Sequence, residues 1–302
     1  DGKKNGNCTI WFDNGQIKSE GPFLNDKKNG EWVWYNEDGK KDMQGLLKED
    51  KREGKWQYWY ETGEKQSDGF YKNDMQDSLW TYWYKDSVKW REGHYKENLK
   101  QGQWNIWFEN GKLLQQGSYV DGQENGLWKS WFESGQENNE GYFKNGMMNG
   151  LWKGWYDSGK PSYVGSYTDN VKDGHWQTWF ENGKQNEDGT YGNGKKEGHW
   201  KYWSQTGIES SEGDYKNEIP NGAWTYYYET GVKFLEQHFK DGKLDGKSTM
   251  WYPDAKLQSI TNYTLVKENG RTTSKPNGDW IYYDKNGNVT LKVKYKNGEK
   301  LY

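Results

Sequence analysis

The chain has 302 residues, 42 basic and 45 acidic side chains for a formal net charge of −3, and only 31% hydrophobic residues. Charges of both signs are interspersed, so no basic block marks a nucleic-acid or anionic-lipid footprint, and no apolar run approaches the roughly 20 residues of a membrane helix. With 21 Trp, 24 Tyr and 9 Phe but few aliphatics, the composition excludes both a layered aliphatic core and disorder; burial has to come from aromatic rings.

The opening phrase Asp1-Gly2-Lys3-Lys4-Asn5-Gly6 reads as the end of a preceding turn, as expected of a mature or trimmed chain whose leader is gone. Glycine then recurs at 6, 30, 54, 102, 126, 150, 174, 198, 222 and 246, interrupted only by Ser78. A fixed period of 24 residues means stacked copies of one supersecondary unit and predicts one elongated body rather than two domains. Counting the opening glycine as position 0, Trp occupies +2 in nine of eleven units (Trp32 through Trp224, with Cys8 and Ser248 departing) and +5 in nine, with Tyr35 and Tyr227 as exceptions. Glycine occupies +9 in nine units, as in Asn110-Gly111, and +15 in nine; +17 is aromatic in ten, Leu47 departing.

Asn-Gly between short aromatic runs signals a hairpin with a type I′ turn, which needs positive φ at both central residues. Each unit is therefore expected to be two antiparallel strands of about five to seven residues, while the glycine density and missing 3.6-residue stripe exclude helix. The predicted fold is all-β: an elongated single-layer antiparallel β-meander of about twelve 24-residue β-hairpin repeats, a solenoid something over 100 Å long at roughly 4.8 Å per strand. Residues 1–264 form eleven regular repeats, 265–277 an insertion or linker, and 278–302 a final hairpin that caps the array.

Strand alternation puts +2, +4 and +6 on one face, as in Trp56, Tyr58 and Tyr60. A two-residue turn at +8 and +9 places the +2 Trp opposite the +15 Gly, where a ring can shield bare backbone. Position +5 points to the other face, among polar neighbours such as Lys129, Lys153, Asn138 and Ser162, and yields a second aromatic row: Trp59, Trp83, Trp107, Trp131, Trp155, Trp179 and Trp203. That row has two readings, a binding surface that stacks sugars or peptide segments, or packing that covers the second face of a thin sheet.

Other candidates are weaker. His175 and His199 share position +1, roughly 10 Å apart, too far to ligate one ion together and without Cys partners; they read as variable strand residues. The acids before the +15 glycine, Glu20, Asp68, Glu92, Glu140, Asp188 and Glu212, share equivalent surroundings, whereas acid–base catalysis needs two groups held apart in pKa. They are expected to pair with lysines on a solvated edge. Gly192-Asn193-Gly194 opens no helix and so fails as a phosphate cradle. Cys8 replaces a packing Trp and, as the lone cysteine, forms no disulfide within the chain. Asn-X-Thr triplets at Asn7, Asn262 and Asn288 are expected by chance in so Asn-rich a chain.

Departures from register mark what is specific. Unit four replaces two glycines by Ser78 and Ser87 and adds Trp90; units ten and eleven carry Gln237 and Thr261 at +15 and gain Val232, Phe234, Leu235, Leu244, Leu257 and Ile260. The insertion around Leu265–Pro276 follows, either part of a cap or a docking loop.

The phrases Gly126-Leu127-Trp128-Lys129-Ser130-Trp131-Phe132-Glu133-Ser134-Gly135 and Glu140-Gly141-Tyr142-Phe143-Lys144-Asn145-Gly146 resemble the MORN repeat family, in the bacterial variant known for YwqK-like antitoxin repeats. Choline- and glucan-binding surface repeats are also rich in Trp, Tyr and Gly hairpins, but with a period nearer twenty. The MORN resemblance implies a twisted hairpin array acting as a binding platform or scaffold, with no catalytic residues, metal or cofactor to carry over.

The expected function is thus a non-enzymatic scaffold for protein–protein interaction, immunity- or antitoxin-like or in surface adhesion, with carbohydrate binding along the Trp ladder as the alternative. No nucleic acid and no membrane insertion are expected. The compartment is undetermined, with the bacterial cell surface or secretion ahead of the cytoplasm.

Overall fold

A computed structural model describes residues 2–301. No helix occurs among the described residues, which form successive antiparallel strands. They cluster into two compact units, one ending at Met147 and one starting at Met148. Regular repeats have strands of eight and nine residues, such as Lys51–Trp59 and Lys65–Lys72, longer than expected. The reason is that the opening glycine does not start a strand: it is a bulge inside one, at φ +63° for Gly54. Against the preceding strand the register jumps there, from Leu46↔Glu53 to Gly45↔Trp56. In one early repeat the bulge divides the strand into Lys27–Lys28 and Gly30–Tyr35.

The two hairpin ends differ, and the Asn-Gly expectation is corrected. At Asn110-Gly111 only the glycine has positive φ, +79°. Gly111 N–H donates to Phe108 O at 3.0 Å and Phe108 N–H to Lys112 O at 2.9 Å. This is a three-residue loop with a type I turn and a left-handed glycine, not a two-residue type I′ turn. The predicted Trp104↔Gly117 pairing nonetheless forms, because a one-residue bulge after Ile106 restores the register. The type I′ turns lie at the opposite end, and several contain no glycine: Asn73 and Asp74 have φ +50° and +67°. Here the second turn residue reaches back to the start of its hairpin's first strand, ahead of the opening glycine. Asp74 N–H donates to Arg52 O at 3.0 Å, and Asp74 Oδ1 accepts from Arg52 N–H at 2.8 Å. Asp50 and Asn98 repeat this two-point clasp on Lys28 and Gln76, which offsets the cost of a left-handed non-glycine.

The +2 tryptophans lock repeat to repeat. Trp104 faces Gly117 in its own hairpin and Gly93 in the preceding one. Its ring lies over Gly93, where an added Cβ would fall 2.2 Å from the indole; the covered glycine is the preceding repeat's, not the hairpin's own. The indole N–H donates to His94 O at 3.2 Å, in the stretch where the bulge interrupts the ladder. The same donation recurs from Trp56 to Leu46 O and from Trp200 to Thr190 O, so a ring exposed by 2% or less at these sites keeps its polar atom satisfied.

Rings at +17 stand edge-on between successive tryptophans. In the first unit Trp80, Tyr95, Trp104, Tyr119 and Trp128 alternate at 5.1–6.3 Å and 81–90°. In the second, Tyr167, Trp176, Tyr191, Trp200, Tyr215 and Trp224 do the same at 5.0–6.3 Å. Each such tryptophan buries about 200 Å² of ring surface, roughly 5 kcal/mol of gross transfer energy. Cationic side chains lie over this column: Lys28 Nζ is 4.4 Å from the Trp32 ring, Lys100 4.8 Å from Trp104, and Lys196 4.3 Å from Trp200. The ammonium groups themselves sit over the rings, Lys196 Nζ also donating to Tyr202 Oη at 2.9 Å, so each lysine covers the column with its stem and its charge.

One later boundary loses both halves of the pair, whereas at the next Thr261 stands in the glycine position while Trp280 is kept, its indole N–H donating to Asn262 O at 2.9 Å. Gln237 replaces the glycine where the following repeat has the buried Ser248 instead of Trp at +2. Trp224 pairs with Gln237 in its own hairpin without difficulty, because its ring lies over Gly213. Residues 265–276 are not irregular: Leu257–Glu268 pairs with Arg271–Pro276 through an Asn269-Gly270 turn with both φ positive.

These contacts set two opposed outcomes in a urea melt. Gly189→Ala, whose Cβ would fall 2.1 Å from Trp200, is expected to lose about 2–3 kcal/mol by overpacking. Ala255→Gly, at φ +65° where most repeats have glycine, is expected to gain about 1 kcal/mol. Equal or reversed effects would contradict the cross-repeat interlock.

Candidate aromatic binding surface

The +5 tryptophan ends the first strand, just before the type I turn. Trp59, Trp83, Trp107 and Trp131 lie in the first unit, and Trp155, Trp179 and Trp203 in the second; all seven are half-buried, whereas the +2 tryptophans are sealed. Lysines rather than row neighbours cover three of the rings. Lys41 Nζ lies 5.6 Å from Trp59, Lys65 4.6 Å from Trp83 and Lys89 5.5 Å from Trp107. Each comes from position +11 of the preceding repeat, a recurrence visible in the sequence but not singled out there. The +6 ring supports the row: Tyr84 Oη donates to Trp107 O at 2.9 Å, and Tyr156 Oη to Trp179 O at 2.6 Å.

The +12 residues flank the row as expected. A groove of about 370 Å³ at Trp59 is lined by Asp42, Tyr60, Glu61, Gln66 and Lys85. Trp179 departs from a clean separation of faces. It lines a cavity of about 440 Å³ with Ser162 and Asn186 at +12, but also with Trp176 and Tyr163 of the core column.

The acid row is more enclosed than a solvated edge, with side-chain exposure of 16% at Asp68 and 24% at Glu212. Lysine pairing holds for Asp68 with Lys65, Glu92 with Lys89 at 2.7 Å, and Glu140 with Lys129 at 2.9 Å. Elsewhere other partners serve: Glu20 accepts from Tyr35 Oη at 2.7 Å, and Asp188 meets His175 at 2.6 Å and Gln177 at 2.7 Å. The two histidines are therefore more than variable strand residues. His199 bridges Glu212 at 3.2 Å and Asp214 at 2.9 Å.

Glu212 shows the electrostatics of this face. Burial alone would raise its pKa, but hydrogen bonds from Tyr227, Lys201 and His199 outweigh that and lower it from 4.5 to about 2. The Tyr227 hydroxyl, buried and donating to this carboxylate at 2.8 Å, is pushed well above the usual tyrosine range. A depressed folded-state pKa contributes stability above the unfolded value and loses it as pH falls through the folded one. Wild type is therefore expected to out-melt Glu212→Gln at neutral pH, the gap closing between pH 4.5 and about 2. A gap independent of pH over that window would rule the network out as its source.

The MORN repeat variant profile matches residues 4–25, 28–48, 52–73, 100–121, 148–169, 220–241 and 276–297, just over half of the chain. No curated protein matches it. Similar solved structures include the crystal structure of TcdB2-TccC3-Cdc42, at 9% identity and a TM-score of 0.20, covering 98% of this chain and 17% of that one. A Photorhabdus luminescens Tc holotoxin pore structure is similar at 9% identity and a TM-score of 0.19, covering 95% of this chain and 17% of that one. The chain thus spans about a sixth of those chains' length. With the family's repeat matched in seven copies and the same pairing carried through the repeats between them, the chain belongs to the MORN repeat variant family.

Proposed function

We propose that this chain is a non-enzymatic scaffold that holds a protein partner against its +5 tryptophan row. The observation that carries this reading is the contrast between the two rows: +2 rings are sealed, while +5 rings stay half-exposed, three of them with a lysine of the preceding repeat over the ring. Half-exposed Trp with adjacent charges is the composition of interaction hot spots, where the ring supplies area and the charges fix orientation. An immunity, antitoxin or adhesion role is one in which such a surface would serve. Carbohydrate binding is the second reading, favoured by open ring faces recurring at a fixed spacing.

A random peptide library selected on the wild-type protein tests this. Trp83→Ala with Trp107→Ala is expected to weaken the selected peptides by about 30-fold or more, with little change in melting temperature because neither ring is in the sealed column. Undiminished binding would defeat the assignment. Fluorescence quenching by an oligosaccharide, lost in Trp131→Ala and Trp155→Ala, would establish the sugar reading instead.

A further inference from the structure

The fourth repeat adds two residues together that its neighbours lack. Trp90 and Arg91 stand at +12 and +13, where adjacent repeats carry Asp42 and Met43, Gln66 and Ser67, and Leu114 and Gln115. Trp90 packs against Tyr84 at 6.0 Å and meets Tyr82 at 6.3 Å and 78°. The Arg91 guanidinium occupies the corner between Tyr82 and Trp90, its Cζ 4.2 Å from the first ring and 4.3 Å from the second. In the following hairpin Arg91 faces Ile106, whose side chain offers no acceptor.

The hydrogen-bonding capacity of that guanidinium is unused. Arg91 makes no hydrogen bond or ion pair with any described residue, and its Nε is enclosed without an acceptor. The two terminal nitrogens are not enclosed, and they form an edge with which arginine grips a carboxylate. Arg52 shows the complete arrangement in the same unit. Its Cζ lies 3.9 Å from the Tyr71 ring, while Nε donates to Asp74 Oδ1 at 3.1 Å and Nη2 to Asp74 O at 3.3 Å. At Arg91 the ring contacts are present and the carboxylate is missing. Lys100, whose pKa is lowered by burial and then by the charge of Arg91, is already held over Trp104 and Tyr119.

We infer that Arg91 receives an acidic side chain of a bound protein segment, with an apolar side chain of that segment laid on Trp90. The inference deepens the protein-binding reading above, on which it rests, by naming the partner's chemistry. Trp90 is 37% exposed, and Trp, Tyr and Arg are the residues that dominate interaction hot spots. Two rings hold the guanidinium before anything binds, so little side-chain freedom remains to be lost. A carboxylate is favoured over a phosphate because negative charge already surrounds the site. Burial and then the charges of Glu109 and Asp86 raise the pKa of Tyr84, which packs on Trp90. A dianion would meet stronger repulsion there than a single carboxylate.

The test uses the whole chain with arginine and indole nitrogens isotopically labelled; only Arg52, Arg91 and Arg271 contribute arginine Nε resonances. The probes are acetyl-Gly-Glu-Leu-Gly-amide, its glutamine counterpart and inorganic phosphate, each at millimolar concentration. The glutamate peptide is expected to shift the Arg91 Nε and Trp90 indole resonances at about tenfold lower concentration than the glutamine peptide. Arg52, which already holds Asp74, is expected to stay unmoved. Arg91→Met is expected to erase the preference at Trp90, and the wild-type comparison of the two peptides decides even where that variant folds poorly. Equal responses to both peptides would make Arg91 a planar filler of the ring column and overturn the proposal. So would no response, equal shifts at Arg52 or Arg271, or a stronger response to phosphate. The tetrapeptides report at Arg91 itself, whereas the library test reads Trp83 and Trp107, so each can fail without the other.

Discussion

Everything in this fold follows from a tryptophan laid over a glycine of the neighbouring hairpin. The indole over Gly93, Gly117 or Gly189 leaves no room for even a methyl group. Its N–H takes a backbone carbonyl of the hairpin it covers. One side chain therefore supplies apolar area, satisfies its own polar atom and fixes which hairpin lies next to which. A repeat with no aliphatic core cannot be stable alone; it becomes so by seating its tryptophan on its predecessor, which is why stability in such arrays belongs to interfaces as much as to units.

That interlock also explains why the two hairpin ends differ. To bring the +2 ring over the preceding repeat, the strand needs an extra residue at the opening glycine, and the bulge there adds twist. The type I′ turn beyond it sits close enough to the same repeat's strand start for an Asp or Asn to clasp it. At the type I end side chains reach the backbone of the next repeat instead, as with Tyr84 Oη on Trp107 O and Asn110 Nδ2 on Glu133 O. A thin sheet of this kind needs no second layer where lysine stems cover the ring column.

The period, the hairpin and the Trp–Gly pairing were legible because each rests on local residue chemistry repeated many times. The turn types were not, because Asn-Gly suits both a type I′ turn and a type I turn closed by left-handed glycine. Asn73-Asp74, a type I′ turn without glycine, gave no local sign. Which glycine lies beneath a ring depends on a bulge whose residue count only the folded register fixes. Gln237 beside a retained Trp224 held a partial clue that the covered glycine is another repeat's, but Ser248 and Thr261, which lose both residues within one hairpin, masked it. The +5 row was legible as a row, but its lysine neighbours come from the preceding repeat, a separation of 18 residues that strand alternation alone does not connect.

Translational repetition has a consequence for recognition. A strictly regular array offers the same surface at every step, so it can hold an extended partner by adding weak contacts but cannot fix its register. Register requires a place unlike the others. In the first unit Ser78 and Ser87 change backbone residues yet keep the left-handed conformation, with φ +58° and +68°, so the backbone path continues while Trp90 adds a ring against Tyr82 and Tyr84. Position +4 loses its ring at Ile106 and Ser130 in the first unit and at Gly154 and Thr178 in the second, and at Gly154 the Tyr163 ring of the adjacent strand covers the bare backbone. Where position +4 passes from an aromatic ring to Ile106, Ser130, Gly154 or Thr178 the column itself changes composition, and it is there that successive repeats stop being equivalent.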